Sequence, residues 1–427
     1  MNPARTTPAL YPAARQSIAS LASDVIVHKA FVWLHAQEER FREWQTQFTS
    51  IPAPPFGESQ RSRWLCDRFK KLGLANASVD EVGNVVGLRP GARKSESAVA
   101  ITAHIDTVFP PGTRIEVRSE GSKLFGPGVS DNASGVTALL AMASALAEFE
   151  IETQVPILFV GNVGEEGEGD LRGMRHLFTG SKWKDSIART LVIDGAGTET
   201  IVTEALGSRR FEVTARAKGG HSWSDFTEPN PIVVLARAID ELYQLPASSR
   251  PDLKSAYNVG VIQGGTSVNS IPAQASMRVD LRSSSQAEIE RLSHELNRIV
   301  NAAAQNGRLS AGPAGESPTR VRVSVDKIGE RPAAELPANA AILQIVRAVD
   351  DHLGITSRLH RSSTDANIPL SLGREAVSLG AGGVGGGAHT LNEWFDTSGR
   401  ELGLKRILLV LLALTNQSSS AAEDRTL

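Results

Sequence analysis

His104-Ile105-Asp106 closes an apolar run, Ala98–His104, that reads as a β-strand. Side chains alternate along a strand, so His104 and Asp106 face the same way and set a carboxylate beside an imidazole. Such a carboxylate fixes the tautomer of a metal-bound histidine, and the same pairing also stabilises a buried histidine that binds nothing. Asp131 follows Gly126-Pro127-Gly128-Val129-Ser130 at the start of a helical pattern. It suits an N-cap, or a ligand whose two oxygens bridge two cations. Glu165-Glu166 sits in a glycine-rich loop just after a second apolar run, residues 156–161. Adjacent side chains diverge, so one can hold a cation while the other faces the water beside it; a solvated acidic loop is the plainer reading. Asp194 ends a third run, residues 191–194, as a turn residue or a ligand. His389 comes after the glycine-dense segment 380–388, which permits unusual backbone angles and close approach. No Gly-Lys-Ser/Thr follows, which argues against a phosphate cradle.

Together these residues say more than any one alone. Carboxylates and histidines at the carboxyl ends of successive strands gather where parallel sheets build their sites. Two His with several Asp/Glu suit a pair of zinc-like ions bridged by one carboxylate, with positions left open for water. Cys66 is the single cysteine, so no internal disulfide or multi-thiolate site exists, and any metal must be held by His, Asp and Glu. His28, His35, His176, His294, His352 and His360 lack comparable contexts and read as surface or core residues.

Positioning such a set requires alternating strands and helices. Between the first two strands, residues 133–149 carry Val136, Leu139, Leu140, Ala143 and Leu146 at helical spacing. This predicts an α/β fold, mainly a parallel sheet flanked by helices. After Gly207 the pattern changes: strands at 209–217, 257–262, 275–281 and 320–325 alternate, with helices at 231–245 and 286–304. That order fits an inserted α+β module with an antiparallel sheet. The expected division is 1–206 and 328–427 as one catalytic domain, with 207–327 inserted. A first helix precedes a proline-dense turn over residues 50–58, a second follows it, and residues 407–414 form one buried helix near the end. Residues 418–424 read as a solvated tail.

Composition bounds the partners. With 45 basic and 47 acidic residues in 427, the net charge of −2 lacks the basic footprint of a nucleic-acid binder. The apolar run at 407–414 falls short of the roughly 20 residues a spanning helix needs, and no signal-type core opens the chain. No membrane partner and a cytoplasmic location are the expectations.

The ordered set His104-Ile105-Asp106-Thr107-Val108, Ser130-Asp131-Asn132-Ala133-Ser134-Gly135, Glu165-Glu166-Gly167, Asp194-Gly195, Gly220-His221-Ser222 and Gly387-Ala388-His389-Thr390 resembles the motifs of a metallopeptidase family. That family includes peptidase T, glutamate carboxypeptidase, acetylornithine deacetylase and succinyl-diaminopimelate desuccinylase. The resemblance, from about Ile51 to Asn416, implies that the inserted module is a lid that mediates dimerisation. It implies His104 and Asp194 on one metal, Glu166 and His389 on the other, and Asp131 bridging. Glu165 matches the general base and Asp106 the carboxylate behind His104. His221 matches a lid histidine that reaches the partner subunit's site and stabilises oxyanion charge. Asn269 and Arg282 match lid residues near the substrate, and Asp365 and Asn367 are placed along the pocket or at the cap of the next helix. The implied cofactor is one or two divalent ions per subunit, zinc, manganese or cobalt.

The implied chemistry is C–N cleavage of a small-molecule substrate by a metal-activated water, in a homodimer or larger homo-oligomer. Ala388-His389-Thr390-Leu391-Asn392-Glu393-Trp394 looks closest to the peptidase-T-like branch, which implies a small peptide or N-acyl amino acid. A branch resembling 5-nitroanthranilate aminohydrolase offers an alternative, in which an electron-poor aromatic amine releases ammonia. It would need a cationic group for the substrate carboxylate, with Arg209, Arg210, Arg282 and Arg361 as candidates. A non-catalytic dimeric binding protein is a third reading and predicts loss of a ligand or of the base, yet every one is present.

Overall fold

A computed structural model describes residues 12–93, 97–251, 253–305 and 320–416. Contacts divide the chain into two compact units, Met1–Glu204 with Glu335–Leu427, and Ala205–Ala334.

The first unit is built on a nine-stranded sheet. Its main strands are β1 (Ala75–Val79), β2 (Val85–Arg89), β3 (Ala98–His104), β4 (Ile157–Asn162), β5 (Ile187–Ile193), β6 (Thr200–Ala205) and β7 (Glu375–Leu379). They lie in the order β1-β2-β4-β3-β5-β7-β6, with two short strands, Ala334–Glu335 and Arg358–Ser362, at β6. The four central strands, β4, β3, β5 and β7, run parallel, and β2 and β6 join them antiparallel. The sheet is therefore mainly parallel at its centre, the α/β fold that the alternating pattern predicts. Strands β3 and β4 are buried at every position, which is why they read as continuous apolar runs rather than alternating ones.

Two helices explain their own sequences. Ala133–Glu148 is buried from Ala133 to Leu146, and Arg400–Asn416 is buried along Ile407–Thr415. A helix apolar on all sides belongs inside. Arg406, with no exposed surface, lies in this interior because Asp350 accepts two of its N–H bonds at 2.6 and 2.7 Å.

Three helices, Pro12–Ser23, Val25–Ala36 and Glu38–Thr49, precede the proline turn, where the sequence suggests one. Asp24 caps the second by accepting the Ile26 and Val27 N–H groups, so a single polar residue interrupts what reads as one pattern. Strand β5 begins at Ile187, ahead of the apolar run at 191, because Arg189 pairs with Glu375 across the β5–β7 ladder. The tail at 418–424 lies outside the described residues. Among the described residues no single helix is long and apolar enough to cross a membrane.

The second unit is a four-stranded antiparallel sheet, in the order Ser255–Gly264, Gln274–Ser283, Gly207–Arg216, Arg322–Arg331. Gln274–Ser283 alternates buried and solvent-facing residues along its length. Its buried face packs with helices Pro231–Tyr243 and Gln286–Gln305 around Val213, Leu235, Met277, Leu281 and Leu296.

Candidate metal centre

The carboxyl ends of β4, β3, β5 and β7 carry the site. His104 is the last residue of β3, Asp194 follows β5, and Glu165-Glu166 lies in the loop after β4. Backbone bonds tie these ends together: Ile105 N–H donates to the Asn162 carbonyl at 2.8 Å, and Asp194 N–H to the Leu379 carbonyl at 2.9 Å. Asn132, not Asp131, caps helix Ala133–Glu148; its Oδ1 accepts from Gly135 and Gly195, and its Nδ2 donates to the Ile193 carbonyl. That frees the Asp131 carboxylate from the capping role and turns it into the centre.

Both histidines approach Asp131, one on each oxygen. His104 Nε2 lies 3.0 Å from Asp131 Oδ1, and His389 Nε2 lies 3.1 Å from Oδ2. His104 Nε2 is also 3.7 Å from Asp194 Oδ1, and His389 Nε2 is 3.1 Å from Glu166 Oε1. Three groups of donor atoms thus fall within 4.8 Å of one another: His104, Asp131 and Asp194; Asp131, Glu166 and His389; and His104, Glu165 and Glu166. Behind His104, Asp106 Oδ1 faces Nδ1 at 3.6 Å. Asp106 also accepts the backbone N–H groups of Glu165 and Glu166 at 3.0 and 2.8 Å, so one buried carboxylate aligns a histidine and the acidic loop.

This donor set attracts positive charge. Burial alone would strip the proton from His104, yet hydrogen bonds to Asp106, Asp131 and Asp194 outweigh it and hold the ring well above its ordinary pKa. Asp131 and Glu166 push His389 up to about 10. Burial works against the Asp131 charge, but the two imidazoles hold its carboxyl well below the usual range. Carboxylates and imidazoles on opposite sides of a shared Asp fit two divalent cations by chemistry and by layout.

The glycine segment does what its composition suggests. At Gly385 a Cβ would meet Ser130 Oγ at 2.3 Å, so only glycine lets this loop lie against the Asp131 loop. Gly387 turns through a positive φ just before His389, which itself has φ +65°. A cavity of about 350 Å³ opens beside Asp131 and Asp194, lined by Glu199 and residues 383–388.

Other predicted residues fall elsewhere. Asp365 and Asn367 have no exposed surface. Asp365 Oδ2 accepts from Asn162 Nδ2 at 2.7 Å, and burial raises its pKa to about 7. Asn367 Oδ1 accepts the Thr364 N–H, the local role that its place at a helix start allows. In the second unit, Gly220–His221 pairs with Ser270–Ile271, and Ser222 N–H donates to the Asn269 carbonyl at 3.0 Å, placing His221 and Asn269 together. The exposed His221 accepts the Trp223 N–H at Nδ1, leaving Nε2 as the donor of the neutral ring. Arg282 donates to Asp280 on its own strand. The other arginines considered for a substrate carboxylate are also engaged: Arg209 with Glu330, Arg210 with Asp280 and Arg361 with Glu204.

Two braces have little signature in the sequence. Arg61, with no exposed surface, donates to the carbonyls of Ile51, Ile105 and Thr49, tying the proline turn to the end of β3. It looks like an ordinary surface arginine on an amphipathic helix. Glu393, equally buried, accepts N–H groups from the Asp131 loop; a charged residue between a glycine segment and an aromatic pair was the available hint.

Residues 100–413 match peptidase family M20/M25/M40. A probable carboxypeptidase of Aspergillus flavus is 27% identical over 203 residues, 43% of this chain and 47% of that protein; the match spans about half the length of such curated relatives. An acetylornithine deacetylase of Myxococcus xanthus is 27% identical over 323 residues, 73% of this chain and 78% of it. Among solved structures, a tripeptidase from Staphylococcus aureus superposes with a TM-score of 0.71 at 20% identity, covering 89% of this chain and 99% of that one.

Proposed function

The chain belongs to peptidase family M20/M25/M40, and from that premise we propose that it is a metal-dependent hydrolase cleaving the C–N bond of a small peptide or an N-acyl amino acid. The observation that carries the reading is Asp131, whose two oxygens each meet a different histidine while Glu165 stands beside His104 and Glu166. His104 and Asp194 would hold one cation and Glu166 and His389 the other, with Asp131 shared. A bound divalent cation supplies Lewis acidity, lowering the pKa of a water from about 15.7 towards 7 and polarising the scissile carbonyl.

The protein's own groups do the rest. Glu165, 5% exposed and held by the Asp106 contact to its backbone, takes the proton of the attacking water and passes it to the departing nitrogen. Asp106 keeps His104 and the Glu165 loop in mutual register. His221, contributed across a homodimer, offers its Nε2–H to the oxyanion as the carbonyl becomes tetrahedral. Asn269, next to His221, is assigned to the same substrate end. Relatives that act on a peptide or on an N-acetylated amino acid, by their names, support this substrate class. The aromatic aminohydrolase reading gains no such support, since the arginines it would need are paired with carboxylates.

Glu165→Ala tests the assignment. Turnover of a dipeptide and N-acyl amino acid panel should fall about 10²–10⁴-fold, with cation binding by calorimetry nearly unchanged. Wild-type turnover in the pure variant would refute the role of Glu165.

A further inference from the structure

Glu393 is a buried carboxylate outside the metal-ligand groups, and no cationic side chain among the described residues hydrogen-bonds to it, an expensive arrangement that needs a cause. Its Oε1 accepts the N–H groups of Ser130 and Asp131 at 2.7 and 2.8 Å, and its Oε2 accepts that of Gly128 at 2.8 Å. Its own carbonyl accepts Gly126 N–H at 2.9 Å. Four backbone groups of the Asp131 loop therefore rest on one residue more than 260 positions away along the chain. Arg61 is nearby, but its donors go to backbone carbonyls.

We propose that Glu393 is the positioning residue of the bridging carboxylate, setting Asp131 against His389 and so governing occupancy of the second cation subsite. The proposal rests on the two-cation reading above. Glu393 and His389 share one tight loop: Thr390 N–H donates to the Gly387 carbonyl and Glu393 N–H to that of Thr390. Strand Trp394–Asp396 follows at once and pairs with Lys123–Phe125, just before the Asp131 loop. A rigid connection thus runs from His389 through Glu393 to the backbone of Asp131. It fixes both ends of the 3.1 Å His389–Asp131 contact. His104 and Asp194 do not rest on Glu393: His104 pairs opposite Asn162 at the end of β3 with Asp106 behind it, and Asp194 N–H is held by the Leu379 carbonyl.

Loss of Glu393 should therefore be felt unequally. The subsite of Asp131, Glu166 and His389 loses its geometry, whereas the other keeps His104 and Asp194 in place. Glu393→Gln retains one oxygen for Ser130 and Asp131 but turns an NH₂ group towards Gly128 N–H. Glu393→Ala leaves all three amides unsatisfied.

The test is titration of metal-free full-length protein with Co²⁺, followed by calorimetry and visible absorption, with thermal melts of each metal-free variant to establish folding. Wild type should take up two ions. Glu393→Gln should bind the first as wild type does and the second about 10–100-fold more weakly, the scale of an outer-shell change. Glu393→Ala, if folded, should show a larger loss at the second step and an altered spectrum for that ion. If Glu393→Gln binds both ions with wild-type affinity and spectrum, the role of Glu393 is overturned while the metal reading stands. A wild-type chain that takes up fewer than two ions overturns the two-cation reading itself, and this assignment with it.

Discussion

The two halves of the candidate metal centre are built in opposite ways. His104 is about 1% exposed, at the end of a strand paired on both sides. The His389 side chain is 55% exposed, on a loop that reaches the site by glycine and a left-handed turn. One half takes its precision from the sheet, the other from a few buried hydrogen bonds. Removing a side chain from the first should disturb the fold, and removing one from the second should disturb mainly the site.

The largest test of that contrast compares His104→Ala with His389→Ala. Without His104, Asp106 and Asp131 lose a buried partner, a destabilisation on the order of 3–5 kcal/mol in denaturant melts. His389→Ala, which removes a half-exposed ring, should lose less than His104→Ala does and retain one cation by metal analysis. Equal destabilisation by the two would erase the distinction.

Next in size is His221. His221→Ala should lower turnover about 10²–10³-fold with melting temperature and metal content unchanged. On the proposed homodimer, mixing it with Glu165→Ala, also nearly inactive, should restore about a quarter of wild-type activity, because half the exchanged dimers would hold one intact site. Failure of mixing to restore activity would place His221 outside the partner's site.

Smaller again, Asp106→Asn should weaken cation binding about 10–100-fold, read by competition with a chelator. Wild-type affinity would show that the buried half does not depend on its backing carboxylate.

The smallest effect concerns pH. Asp365 has its pKa raised by burial from 3.8 to about 7. Its native form therefore binds a proton that the unfolded chain releases above about pH 4. The stabilisation is complete below pH 4 and disappears as pH rises through about 7. In metal-free protein, wild type should lose melting temperature relative to Asp365→Asn across that window. Parallel profiles would show that Asp365 is ionised in the native state.

The sequence made most of the buried half legible. The β3 strand was readable to the residue, and β4 and helix Ala133–Glu148 to within a residue or so, because continuous apolar runs and helical spacing are what burial on both faces requires. Strands β1, β2 and β6 carried weaker signals: Ala75-Asn76-Ala77-Ser78-Val79 alternates, but its apolar side rests on two alanines and a solvent-exposed Val79. At the site, ordered motifs drew attention to His104, Asp131, Glu165, Glu166, Asp194 and His389, which the structure brings together. What could not be read was support at a distance. Arg61 and Glu393 look like surface charges until the chain folds, since burial of a charge is decided by groups remote in sequence. The full burial of Asp365 is another feature its sequence neighbours do not signal.

Strand β7 has a further consequence, for synthesis rather than catalysis. It lies between β5 and β6, although both of those precede it by more than 160 residues. While residues 206–374 are being translated, at roughly 5–20 residues per second, the slot stays open for on the order of ten to thirty seconds. Two largely apolar strands then present unpaired edges. The nascent chain is most open to mispairing in that interval, and a faster or better-shielded passage through it should raise the yield of folded protein.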